Sequence, residues 1–328
     1  MKKRYAQLSL FITSLIGGAS LLLSLGASAC SLTRAAHEPA LLKVPAQAPA
    51  DSRRDDAEAV RRRARALCEE GASLRDAGRY AEAAAPLSKA LALAEESLGL
   101  EDVEVASVLN QLGMLDKYAG RFDEGERAYR RALAILERAY GPEDPRLADI
   151  FHNLGGLAHA RGRYQEGEPL ARHGLKMRER ALGPDDRDVA ADVAALAAIL
   201  DGEGKRNEAE RLYLRALATF ERTDGGESYD VAVNLNNLAA LYQAEGKTSE
   251  AERRFVRALE IKEKLLGPDH PEVATTLNNL ALLRKSQGRL DEAEALYRRA
   301  LSIFEHALDP SHPSVVACRE NLARLLKR

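Results

Sequence analysis

A chain of 328 residues without tryptophan, with 5% aromatic residues and a formal net charge of −2, has neither the aromatic content of a β-rich or base-stacking protein nor the basic surplus of a nucleic-acid binder. Its Ala, Leu, Glu and Arg content favours helix, and its length suits either two ordinary domains or one repeat array.

In chain order, the first element is a targeting segment over residues 1–29. Lys2, Lys3 and Arg4 precede an apolar run from Leu8 to Leu25, and Ala27-Ser28-Ala29 supplies the small residues that a signal peptidase needs. With Cys30 next, the end resembles a bacterial lipobox, although Ala27 stands where Leu is usual. The resemblance implies lipidation at Cys30 and a membrane-anchored lipoprotein of the bacterial cell envelope. Two alternatives stay open: ordinary cleavage, giving a secreted or periplasmic protein, and an uncleaved anchor, since the run is close to the roughly 20 residues that span a bilayer. All three place the body outside the cytoplasm. Residues 30–57, with Ala and Pro abundant up to about Arg53, read as a flexible tether. Cys68 and Cys318 lie at opposite ends of the remaining chain and read as small apolar helix residues, not as a disulfide.

From there the sequence repeats. Gly78, Gly120, Gly162, Gly204, Gly246 and Gly288 recur at a step of 42 residues. Leu112, Leu154, Leu196, Leu238, Leu280 and Leu322 keep the same step, as do Gly113, Gly155, Ala197, Ala239, Ala281 and Ala323, and Ala83, Gly125, Gly167, Ala209, Ala251 and Ala293. With no insertion, this predicts six stacked units over 58–312 and a capping helix over 313–328.

Each unit reads as two helices. Gly141 can take a left-handed conformation that ends one helix, Pro142 stops its continuation, and Asp144 caps the next with Pro145 in its first position. Ser249 with Glu252 reads as a capping box for the second helix, with Asp123/Glu126, Asn207/Glu210 and Asp291/Glu294 as variants. Gly155 and Ala293 allow close helix approach, while Leu154, Tyr129, Tyr213 and Tyr297 fill the space between helices.

Segments such as GRLDEAEALYRRALSIFEHAL (288–308) and GPDHPEVATTLNNLALLRKSQ (267–287) resemble tetratricopeptide repeats of the longer kinesin-light-chain-like type. The resemblance implies an all-α, right-handed solenoid of antiparallel helix pairs. Unit three departs from it, with Ala171 for the bulky aromatic, Gly174 for alanine and Pro169 in its second helix, which predicts a looser or bent unit. Arg319 replaces an apolar residue in the last helix, as an end cap with one wet face would.

The resemblance also implies that the first helix of each pair lines a concave groove, where an Asn before the column leucine contacts an extended peptide. Those positions are Asn153, Asn237, Asn279 and Asn321, with Gln111 as a substitute and Ala195 as a gap; Asn110, Asn236 and Asn278 add a second amide row. An amide offers donors and an acceptor to peptide backbone. Surface Asn merely tolerated by a helix would not explain recurrence at a fixed step, because Asn is a mediocre helix former. One turn along lie Lys117, His159, Asp201, Gln243, Lys285 and Lys327, with Arg324 nearby. Lys285 and Arg324 suit an acidic segment or a terminal carboxylate, and a solvated charged face is the other reading.

Enzyme signals fail. Gly246-Lys247-Thr248 imitates the tail of a phosphate-binding loop, but Leu241 stands where glycine is needed. His270 and His312, each followed by proline, lack neighbouring ligands at metal spacing. No enzyme activity, cofactor or metal is expected. The expectation is an envelope-tethered scaffold that binds a protein or peptide, with no nucleic acid and with the membrane reached through the N-terminal anchor. The alternative is a constitutive, non-catalytic subunit of an envelope complex. Specificity would rest in a few groove side chains.

Overall fold

The computed structural model describes residues 48–327, with side chains from residue 56 onward. Six antiparallel helix pairs follow one another: α1 (Ala48–Asp76) with α2 (Tyr80–Leu98), α3 (Val103–Tyr118) with α4 (Phe122–Tyr140), and α5 (Ala148–Ala160) with α6 (Tyr164–Leu182). The series continues with α7 (Arg187–Gly202) and α8 (Arg206–Thr223), α9 (Tyr229–Ala244) and α10 (Thr248–Leu266), then α11 (Pro271–Ser286) and α12 (Leu290–Ala307). Helix α13 (Pro313–Leu326) closes the array, and no strand occurs among the described residues. The all-α solenoid implied by the repeats is therefore the observed fold. Helix α1 starts ahead of the expected Glu58, so the end of the segment read as tether is helical. Cys30 and the targeting segment lie outside the described residues, and no described helix is long and apolar enough to cross a membrane.

Two glycine columns make the turns. Within each pair the glycine at the 42-residue step has positive φ, from Gly78 at 74° to Gly288 at 75°. There the Gly78 N–H donates to Arg75 O and the Arg79 N–H to Leu74 O, tying off α1. A second column joins the pairs, at Gly99, Gly141, Gly183, Gly225 and Gly267, also at positive φ. Gly141 does end α4, but with φ 89° and ψ 158° it occupies a region essentially reserved for glycine and distinct from the left-handed helical one.

The helix starts divide into two classes. First helices carry side-chain caps: Asp102 accepts from Glu104 N–H, Asp144 from Arg146 N–H, Asp186 from Asp188 N–H and Ser228 from Val231 N–H. The expected cap at Asp144 is present, on a short 3-10 turn (Pro145–Leu147) that leads into α5. Second helices do not use the expected capping boxes. They begin after Arg121, Lys205, Lys247 and Arg289, with no side-chain cap bond, so Asp123, Asn207, Ser249 and Asp291 fall inside the first turn. The tight glycine turn starts the new helix too early for those side chains to reach back. Acidic groups in that first turn favour the positive end of the helix dipole instead, as Asp123 and Glu124 do in α4.

Packing follows the predicted columns. Tyr129, Tyr213 and Tyr297 are buried, and the same column supplies Leu87 and Phe255. A Cβ on Gly113 would lie 2.5 Å from the Tyr129 ring, so the small column lets the ring lie against the neighbouring helix. Despite Pro169, α6 runs continuously over 19 residues. A Cβ on Gly174 would approach Phe151 Cβ to 2.9 Å, and Phe151 meets the His173 ring edge-on at 4.6 Å. Close approach to α5 thus replaces the missing aromatic. Burial pushes the thiols of Cys68 and Cys318 up to about 12, and both are free.

First helices of successive pairs touch each other, whereas among the described residues second helices meet their counterparts through long side chains. Arg131, Arg215, Arg257 and Arg299 each reach a glutamate of the preceding second helix (Glu95, Glu179, Glu221, Glu263) and a carbonyl in the loop between units. The array therefore curves with first helices on the inside.

The curvature brings successive turns of the superhelix together. His270 Nδ1 accepts the Glu272 N–H at 3.1 Å, which caps α11, so the ring's proton lies on Nε2; Nε2 then donates to Asp76 O at 2.9 Å, 194 residues away in sequence. His312 repeats this one unit later, capping α13 through Ser314 N–H and donating to Tyr118 O at 3.1 Å. Gly78 and Gly120 permit this approach, since Cβ atoms there would lie 2.7 Å from Pro271 and 3.0 Å from His312. Leu308 packs against both the first and the last core clusters. The array is thus wound back on itself along a seam, not extended.

Candidate functional site

The inner wall is built by first helices in a fixed register, so residues 42 apart stand in one row and residues 43 apart can meet across neighbouring helices. The asparagines use that second spacing. Asn153 donates to Asn110 Oδ1 at 2.8 Å, Asn279 to Asn236 Oδ1 at 3.3 Å and Asn321 to Asn278 Oδ1 at 3.3 Å. Asn236 also donates to Asn237 Oδ1 at 3.3 Å. Asn153, Asn236, Asn237, Asn278 and Asn279 are buried, while Asn110 and Asn321 are half-buried. All seven predicted amides therefore stand together on the inner wall, partly engaged with one another. Each ladder bond uses one of an amide's two N–H donors.

The ladder has a gap. Unit four carries Ala194 and Ala195 at the amide positions, within a helix where Ala190, Ala191, Val193 and Ala198 are also buried. His152 in unit three turns instead to Asp192 Oδ1 at 2.7 Å, whose other oxygen takes Arg178. The wall thus reads as amides, an apolar patch on α7, then amides again. At the N-terminal end Gln111 accepts from buried Arg75 at 2.7 Å, so this substitute is bound to a guanidinium.

Groups one turn along are biased toward their uncharged forms by burial, which is the leading cause in each case. Lys117 is lowered to about 8, His159 is lowered to about 4, and Asp201 is raised to about 6 against the opposing pull of Arg206. Gln243 Oε1 is buried and has no hydrogen-bond partner. At the C-terminal end Lys285 is half-buried and Arg324 is exposed, with Arg324 donating to Asn321 Oδ1 at 2.6 Å and to Glu320 O at 3.3 Å. The wall as a whole sets largely buried amides on either side of a buried apolar stretch, with Arg75 near one end and Lys285 and Arg324 at the other. Among the described residues no group of three or more His, Cys, Asp or Glu side chains is placed to hold a metal ion.

The residues missed by sequence reasoning are those of the seam and of the arginine column. His270 and His312 were visible as His-Pro pairs one unit apart, and that pairing before a helix was the available signal for a cap. The arginine column was visible as Arg131, Arg215, Arg257 and Arg299, broken at His173.

Comparison with known proteins bears on the fold. No curated protein shows significant similarity to the chain. Among solved structures, the chain is similar to BtubC (BKLC) from P. vanneervenii, at 29% identity over 70% of this chain and 90% of that one, with a TM-score of 0.50. It shares its fold with a Rap protein complexed with Competence and Sporulation Factor, at 18% identity over 80% and 74% of the two chains and a TM-score of 0.55. The same holds for NprR in complex with its cognate peptide NprX, at 15% identity over 76% and 69% and a TM-score of 0.56. A family model described as Tetratricopeptide repeat matches in six overlapping stretches that run from residue 62 to residue 328. With unit length, helix pairing and glycine turns all in agreement, the chain belongs to the tetratricopeptide repeat family.

Proposed function

We propose that this protein is a non-catalytic scaffold whose inner wall binds an extended segment of a protein or peptide. The observation that carries the reading is the interrupted amide ladder, with the unpartnered Gln243 Oε1 one turn further along α9. A buried acceptor without a donor is costly, and a peptide N–H is a natural donor for it. The apolar stretch of α7 suits a small apolar side chain in the middle of the guest. Arg324 and Lys285 favour an acidic C-terminal portion or a free carboxylate at their end. NprR, which shares this fold, is solved in complex with its cognate peptide NprX, in keeping with a peptide guest.

Binding is tested with peptides selected from a random library on the purified protein. Asn237→Ala with Asn279→Ala is expected to weaken them by about 1–3 kcal/mol, the range for leaving polar partners unpaired, with helicity unchanged. Arg324→Glu should slow association of acidic binders. Full-strength binding by the double variant would remove the ladder from the site.

We further propose that Cys30 is acylated and holds the array at a membrane of the bacterial envelope. Stable attachment requires more than one acyl chain. Labelled fatty acid should enter the wild-type protein and not Cys30→Ala, and equal labelling of both would reject the anchor.

A further inference from the structure

The seam encloses a cavity of about 450 Å³ that is separate from the amide ladder. One side is the end of the first two pairs, with Arg75, Asp76, Tyr80 and Tyr118; the other is the entrance to the fourth, fifth and sixth, with Arg187, Asp224, Asp230 and Glu272. It exists only because the superhelix returns on itself, so no single unit carries it.

Its ion pairs leave one acceptor over. Asp76 takes Arg75 at 2.9 Å, and Glu272 takes Lys262 from behind the wall at 3.0 Å. Arg187 serves three carboxylates, Asp188 at 3.3 Å, Asp224 at 2.9 Å and Asp230 through Oδ2. Asp230 is 2% exposed, and its second oxygen, Oδ1, is buried without any hydrogen-bond partner. A buried carboxylate that shares its only counter-charge and leaves one oxygen bare is short of a cation. Burial raises the Asp230 pKa more than Arg187 lowers it, in keeping with that shortage. The rest of the lining is mostly aromatic and apolar, with Tyr80 stacked on Tyr118 at 5.9 Å and with Tyr229 and Leu266, and Ser228 and His270 complete it. Outside the lining, Lys117 Nζ lies 5.0 Å from the Tyr118 ring centre. Aromatic faces beside a carboxylate attract a cation, and an aliphatic stem packs against the same surfaces.

We propose that the seam cavity binds a primary ammonium group on an aliphatic stem, a lysine side chain or a free alkyl diamine, with Asp230 Oδ1 as the principal acceptor. The site is independent of the groove reading, because it lies between turns and uses none of the asparagines. It also places one guest in contact with both ends of the array, so a bound ammonium would tie the two turns together beside His270.

The test is an NMR titration of the full chain at neutral pH with three probes: a short glycine peptide bearing one central lysine, the same peptide with that lysine acetylated, and 1,5-diaminopentane. The lysine peptide or the diamine is expected to shift resonances around Asp230 and Tyr229, and the acetylated peptide is not. Binding of the peptide alone identifies a polypeptide guest, and binding of the diamine alone identifies a free amine. Asp230→Asn should weaken the binding probe by about tenfold or more, the loss of a charged hydrogen bond. Arg187→Gln should act in the opposite direction and tighten it, because it releases Asp230 and Asp224 from their shared cation. These opposite signs separate a cation site from a structural role, in which both substitutions would weaken binding. Circular dichroism of each variant establishes that it is folded, and Asp224→Asn, at the rim, provides a milder loss if Asp230→Asn does not fold. Absence of shifts with both amines, an unchanged affinity in folded Asp230→Asn, or loss of binding in both Asp230→Asn and Arg187→Gln would overturn the proposal.

Discussion

Phe255→Ala is expected to cost about 3–5 kcal/mol, the range for deleting a fully buried aromatic side chain. Phe255 is 0% exposed and belongs to the largest core cluster, which joins α7, α8, α9 and α10. It stands in the column of Tyr129 and Tyr213, facing the small column that includes Ala239. Unit three shows what an alanine in this column needs: Ala171 lies opposite Gly155, where an added Cβ would sit 3.3 Å from Ala171 Cβ. With Ala239 on the facing helix, unit five has no comparable room to collapse, so Phe255→Ala leaves a cavity. Because each unit is held mainly by its neighbours, the loss should appear as early unfolding of the C-terminal units in urea, followed by far-UV circular dichroism. Arg253→Ala, on an exposed position of the same helix, should stay within about 0.5 kcal/mol. A Phe255→Ala cost no larger than that control would mean that the aromatic column does not hold the helices together.

The second large effect is expected at the buried pair Lys262–Glu272. Lys262 is 0% exposed, and its Nζ donates to Glu272 Oε2 at 3.0 Å. Phe220 and Phe304 occupy the equivalent position in neighbouring units, so an apolar side chain fits there. Glu272→Ala leaves an ammonium in the core without its counter-charge and should destabilise by about 3–5 kcal/mol. Lys262→Met combined with Glu272→Ala should recover much of that loss, since no charge is then left unpaired. Thermal unfolding of the two single variants and the double variant forms a cycle, and additivity of the two single effects would show that the pair is not coupled.

How much of this was legible in sequence depends on the range of the interaction. The repeat, the pairing of helices and the aromatic column could be read because each is set within a unit or between adjacent units. Second-helix starts were misplaced by about two residues because Ser249 and Asp291 match a capping pattern, while the positive-φ glycine before them fixes the start earlier. The amide rows were visible as recurring asparagines, but their bonding to each other depends on the offset between neighbouring helices. The seam was not legible at all. Its contacts join Asp76 to His270, and that distance is the sum of small rotations between every pair of neighbouring units. In sequence, His270 and His312 consequently showed only as His-Pro pairs without metal-spaced partners.

The central claim is that the inner wall receives an extended polypeptide, and the structure of a complex with a library-selected peptide tests it most directly. The account predicts the peptide backbone along the first helices, bonded to the amides of Asn236, Asn237, Asn278 or Asn279, with a small side chain over Ala194 and Ala195. A peptide seated on the second helices, or on the loop from Asp224 to Ser228, with the ladder untouched, would contradict it.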